Sequence, residues 1–147
     1  MPDIRLNTVF EVPLGSPIGQ CRAMPVSLGD DRRAILAVHG ADFDDDPYHE
    51  MFFFPTDTLK MALFDEQGEV LWNRDLGKGV VPGIWFCPIF TFDLDGDGVD
   101  EIYYVGNVNE QHPLSLSGYR LEQVSATDGS TVGQWPWPVA SQGQNIS

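Results

Sequence analysis

Hydrophobic positions in this chain gather in short runs and show no helical rhythm. Ala34–Val38, Met51–Phe54, Lys60–Phe64, Val70–Trp72, Trp85–Phe90, Ile102–Val105 and Leu121–Ser125 are brief stretches rich in Val, Ile, Phe, Tyr and Trp. Several alternate or are wholly apolar, as strands buried on one or both faces are. Between them 15 glycines and 11 prolines punctuate the chain, which disfavours helix. Asp65–Gly68 (DEQG) and Thr127–Ser130 (TDGS) read as hairpin turns, because Asp and Gly tolerate the positive φ of tight turns. The pattern predicts an all-β fold.

The pattern also repeats. Asp42–Phe54 (DFDDDPYHEMFFF) and Asp93–Val105 (DLDGDGVDEIYYV) carry acids at the first, third, fifth and ninth places, followed by four apolar residues. Downstream, Leu63–Trp72 (LFDEQGEVLW) resembles Ser125–Trp135 (SATDGSTVGQW) with two inserted residues. The unit, offset by 51 residues between Asp42 and Asp93, holds about four strands, the content of one β-propeller blade. The expectation is two four-stranded antiparallel blades within 1–140, with repeats near 34–84 and 85–140. An N-terminal strand segment fills 1–33, and 141–147 reads as a flexible end. A propeller closes with at least about four blades. The chain is therefore expected to be part of a larger propeller, a self-associating unit, or a pair of blades capped by its N-terminal segment.

The acidic stretch Asp93-Leu94-Asp95-Gly96-Asp97-Gly98-Val99-Asp100-Glu101 carries the most specific chemistry. Calcium takes six to eight oxygens at about 2.3–2.6 Å, and a tight loop offers carboxylates from alternate positions. Asp93, Asp95 and Asp97 are candidate ligands, with the Val99 carbonyl and the Glu101 carboxylate completing the set. Gly98 permits the sharp turn. An EF-hand loop would close with a glutamate at the twelfth place, on a helix. Here that place is Tyr104, inside a strand-like run, so the site closes early onto a strand. Asp42, Asp44, Asp46 and Glu50 keep the spacing and form a second candidate site, but Pro47 replaces the glycine and fixes φ near −65°.

Charge agrees with bound metal. Eight basic residues against 22 acidic ones give a net charge of −14, which disfavours nucleic acid and anionic membranes. No run of 18 apolar residues is present to insert in a membrane. No secretory signal is visible in the first fifteen residues, although calcium use leans towards an extracellular setting. Cys21 and Cys87 read most simply as two small buried hydrophobes.

The stretch Leu63–Asn107 resembles a blade of the calcium-dependent rhamnogalacturonan lyases of β-propeller type. The residues that carry the resemblance are Leu71-Trp72, Arg74-Asp75-Leu76-Gly77, Trp85 and the loop Asp93–Glu101. The loop by itself is shared with FG-GAP-like (VCBS) repeats. The lyase resemblance implies calcium-assisted elimination at a uronate, with an acidic polysaccharide or glycan as partner. It places no catalytic base: Lys60, Arg74, Lys78, Arg120, His39, His49 and His112 lie in no matching motif. Trp85, His112 and Tyr119 are candidate ligand-facing residues, and the polar stretch Asn107–Gly118 is the candidate ligand loop. The strand-end tryptophans suit packing between blades. Three readings follow: a fragment related to the lyases with mainly structural calcium, a non-catalytic FG-GAP-like interaction or glycan-binding module, and, last, a quinoprotein-like array.

Overall fold

The computed structural model describes residues 4–43, 55–83, 86–108 and 118–138. Eight strands are found among them: β1 (Gln20–Ser27), β2 (Arg33–Gly40), β3 (Lys60–Asp65), β4 (Val70–Asp75), β5 (Ile89–Phe92), β6 (Glu101–Asn107), β7 (Tyr119–Val124) and β8 (Thr131–Pro136). They form two four-stranded antiparallel sheets, ordered β1-β2-β3-β4 and β5-β6-β7-β8. No helix occurs among the described residues. The all-β expectation therefore holds at the level of two antiparallel four-stranded sheets.

Strand β1 lies ahead of the expected 34–84 unit and belongs to the first sheet. Its sequence QCRAMPVS mixes polar residues and a proline, as an edge strand tolerates, and so gave no apolar run. Strand β5 begins at Ile89, later than the expected Trp85–Phe90. The expected strand Met51–Phe54 and the end segment 141–147 lie outside the described residues.

One core joins the sheets. Val26, Leu36, Val38, Met61, Leu63 and Trp72 of the first sheet pack with Ile89, Ile102, Tyr104, Val124 and Ala126 of the second. On each strand these residues alternate with ones on the opposite face, so each sheet has a front and a back. The front of the first sheet, carrying Leu36, Leu63 and Trp72, meets the back of the second, carrying Ile102, Tyr104 and Val124. The back of the first sheet holds Ala37, His39, Ala62 and Phe64, all buried. The N-terminal segment runs over it, and Phe10 meets Phe64 edge to face at 5.9 Å.

Polar ties fix the junction. Trp72 Nε1 donates to the Ala126 carbonyl at 2.8 Å. Arg74 crosses from β4 to donate to Glu122, the Tyr104 hydroxyl, Thr131 Oγ1 and the Gly129 carbonyl. Glu122 is 2% exposed and also pairs with Arg120 at 2.7 Å. Burial raises the Tyr104 phenol pKa, with Arg74 opposing and Glu122 adding to the rise. The cysteines differ from the simplest reading in one respect. Both are free, but only Cys87 is buried, and burial pushes its thiol up to about 12. Cys21 is exposed because it sits on an edge strand.

Candidate metal centre

The Asp93–Asp100 loop links β5 to β6. Gly96 and Gly98 take φ of +80° and +90°, and a side chain at either would meet no neighbour within 4 Å. Backbone conformation alone therefore calls for glycine there. Backbone N–H groups then aim the carboxylates. Asp93 Oδ1 accepts from Gly96 at 2.7 Å and Asp97 at 3.1 Å, and its Oδ2 accepts from Gly98 at 2.9 Å. Asp95 accepts from Asp97 at 3.1 Å, and Asp97 from Val99 at 2.7 Å. One oxygen each of Asp93, Asp95 and Asp97 lies within 4.8 Å of the others. Oxygens on opposite sides of a calcium ion stand about 4.8 Å apart, so the three carboxylates fit around one hard cation.

The other two predicted ligands flank this group. Val99 forms an isolated bridge with Leu28, and its side chain packs beside the core. Glu101 Oε2 accepts from the Leu94 N–H at 2.9 Å, and the Glu101 carboxylate is not among the three gathered oxygens. Burial and the nearby charges of Glu101 and Asp95 raise the Tyr103 phenol pKa.

Asp100, outside the alternating set, joins the loop to the first sheet. Its Oδ2 accepts from the Ser27 N–H at 2.7 Å, and its own N–H donates to the Ser27 carbonyl at 2.9 Å. Ser27 Oγ donates to the Gly98 carbonyl at 2.7 Å. The loop is thus clamped to the end of β1. Sequence spacing gave no signal for this role, because the partner lies 73 residues away.

In the second candidate site only Asp42 is described. Its Oδ2 accepts from the N–H groups of Thr56 and Asp57, and its Oδ1 from Thr56 Oγ1. Asp44, Asp46 and Glu50 lie outside the described residues, as do Trp85, His112, His49 and most of the Asn107–Gly118 loop. Tyr119 lines a cavity of about 360 Å³ with Val81, Phe86, Val105 and Trp137. A second cavity of about 400 Å³ adjoins the acidic loop and is lined by Leu94, Asp95, Glu101, Tyr103, Gln123 and Trp135.

Three of the candidate basic side chains are committed elsewhere, while Lys78 is exposed. Arg74 and Arg120 hold Glu122, and Lys60 pairs with Asp57 at 2.7 Å. Burial works against the Asp57 carboxylate, yet the Lys60 hydrogen bond and backbone N–H groups hold its pKa below the usual range. His39 pairs in register with Cys21, whereas the acidic loop docks at Ser27. Six residues of strand separate these levels, about 20 Å at ~3.3 Å per residue. Neither His39 nor its register partner Lys60 reaches a cation held by Asp93, Asp95 and Asp97.

No protein-family profile matches the sequence, and no curated protein matches it. Among solved structures the fold resembles the exotype rhamnogalacturonan lyase YesX, with a TM-score of 0.68 and 18% identity over 86% of this chain and 26% of that one. It resembles the rhamnogalacturonan lyase YesW equally, with a TM-score of 0.67 and 18% identity over the same shares. A Bacillus licheniformis rhamnogalacturonan lyase gives a TM-score of 0.70 and 19% identity over 94% of this chain and 28% of that one. The chain spans about a quarter of the length of the proteins it matches. The all-β arrangement of two antiparallel sheets is therefore a fold it shares with a part of rhamnogalacturonan lyases.

Proposed function

We propose that the two sheets are successive blades of a propeller-type scaffold related to the rhamnogalacturonan lyases. In this reading the Asp93–Glu101 loop binds one calcium ion whose role is structural. The observation that carries the metal reading is the gathering of Asp93, Asp95 and Asp97 oxygens within 4.8 Å on a loop clamped to the neighbouring sheet. Three carboxylates so close repel one another, and a cation relieves the repulsion and stiffens the clamp. Glu101 and the Val99 carbonyl would complete the shell.

Elimination at a uronate needs metal, base and substrate within hydrogen-bond reach. Arg74, Arg120, Lys60 and His39 are paired or distant and Lys78 lies in no matching motif, which supports assigning catalysis on a pectic polysaccharide to a larger assembly of blades. The cavity between the acidic loop and Trp135 favours a second reading, in which the same surface takes a glycan without chemistry.

Calorimetry on chelator-stripped protein tests the metal. One calcium is expected to bind with a rise in melting temperature, and Asp95→Ala is expected to abolish both. Calcium binding unchanged by Asp95→Ala would sink the reading. In parallel, no unsaturated uronate is expected to form on rhamnogalacturonan, and its calcium-dependent appearance would overturn the structural role.

A further inference from the structure

Hairpin turns at equivalent places in the two sheets are covered in equivalent ways. In the second sheet the turn after β7 carries Gly129 at φ +73°, and a Cβ there would lie 2.8 Å from the indole of Trp72. In the first sheet the turn after β3 carries Gly68 at φ +85°, and a Cβ there would lie 2.9 Å from the ring of Phe10. Both glycines follow a bulge at matching positions, Leu63/Phe64 and Gln123/Val124. Each turn thus has an aromatic ring pressed on a glycine with no room for a side chain. For Gly129 the ring comes from the adjacent sheet, and for Gly68 it comes from the N-terminal segment.

The front of the second sheet corresponds to the front of the first, which is buried. Register sets Phe92 opposite Glu101 where the first sheet has Val26 opposite Ala34. Val26 is 1% exposed, whereas Phe92 is 58% exposed. Register also places Gly133 where the first sheet has Trp72, and Trp135 where it has Arg74. Trp135 restores the missing ring, because its indole folds back onto Gly133 and lies where a side chain at 133 would be. An indole is therefore held at the Trp72 site of the second sheet, 46% exposed, and the exposed Phe90 and Phe92 stand on the same face at the sheet's opposite edge.

We propose that the segment around Phe10 is an internal cap, and that the open front of the second sheet docks the back of the first sheet of a second copy once that cap is displaced. Trp135 of one copy takes the place of Phe10 on Gly68 of the next. Its Nε1 donates to the carbonyl of Glu66, as Trp72 donates to that of Ala126. Phenylalanine fills the ring's space but has no N–H for that bond, so the cap is the weaker occupant. The contact is head to tail, and with two sheets per copy it closes into rings of about two to four copies. The net charge of −14 opposes association, so added salt strengthens it.

The inference rests on reading the sheets as successive blades of one repeat. Sedimentation of the full chain over a range of concentrations tests it. Phe10→Ala is expected to assemble at about tenfold lower concentration than the unaltered chain, with a blue shift of tryptophan emission as Trp135 is buried. Adding Trp135→Ala to Phe10→Ala is expected to abolish assembly. A Phe10→Ala protein that stays monomeric throughout overturns the proposal, and so does assembly that survives Trp135→Ala. Should Phe10→Ala not fold, Leu14→Ala loosens the same segment more mildly and carries the same expectations. Calcium titration of the same samples separates the two readings, since loss of metal binding with assembly intact sinks only the metal site.

Discussion

The indole N–H of Trp72 donates to the carbonyl of Ala126 across the junction of the two sheets, 2.8 Å apart and buried. A residue of the lyase-like LWNRDLG stretch is thereby a structural tie between sheets. Trp72→Phe keeps most of the buried ring but leaves that carbonyl without its donor. The expected cost is about 1–3 kcal/mol, rising to about 3–5 kcal/mol for Trp72→Ala. Urea denaturation measures both, and a Phe variant as stable as the unaltered chain would remove the hydrogen bond from the account.

Glu122 is held by two arginines with different duties. Arg74 comes from the other sheet and makes four contacts there, whereas Arg120 is a neighbour on the same strand. Arg74→Ala is therefore expected to destabilise more than Arg120→Ala. The cost falls towards the low end of the ~3–5 kcal/mol typical of a broken buried pair, because the guanidinium is partly exposed. Equal costs in denaturation would contradict a role for Arg74 between the sheets.

His39 links stability to pH. Burial, and then the charge of Lys60, lower its pKa below the usual value, with Asp57 opposing. A histidine lowered in the folded state is protonated more readily by the unfolded chain. Its contribution is therefore present above the unfolded value of about 6.5 and is lost as pH falls through the folded one. His39→Gln is expected to flatten the decline in melting temperature just below that pH. Parallel profiles for the two proteins would assign the decline to other groups.

Strands with both faces buried were the legible ones. Leu36, Leu63 and Val105 sit in runs that hydrophobic pattern alone picks out, since consecutive residues of their strands are buried. Strand β1 was not legible, because an edge strand alternates buried Val26 with exposed Cys21 and carries Pro25. At the acidic loop, spacing identified the three carboxylates that converge. Asp100 escaped notice because its role depends on Ser27, which only tertiary structure brings near. The likeness between Trp72 and Trp135 was visible as an alignment of letters. Strand register shifts it by two residues, and the rings match only because Trp135 folds over Gly133.

Every ladder in either sheet joins strands that are neighbours in sequence. Most loops to be closed are therefore short, the connections from Gly40 to Lys60 and from Asn107 to Tyr119 excepted, and the chain entropy lost grows only slowly with loop length. Each half of the chain can organise itself locally. The distant encounters come afterwards, when Ser27 meets Asp100 and Trp72 meets Ala126. The pairings between the halves span far more of the chain than any ladder, so whatever gathers the acidic loop in advance is expected to shorten that search.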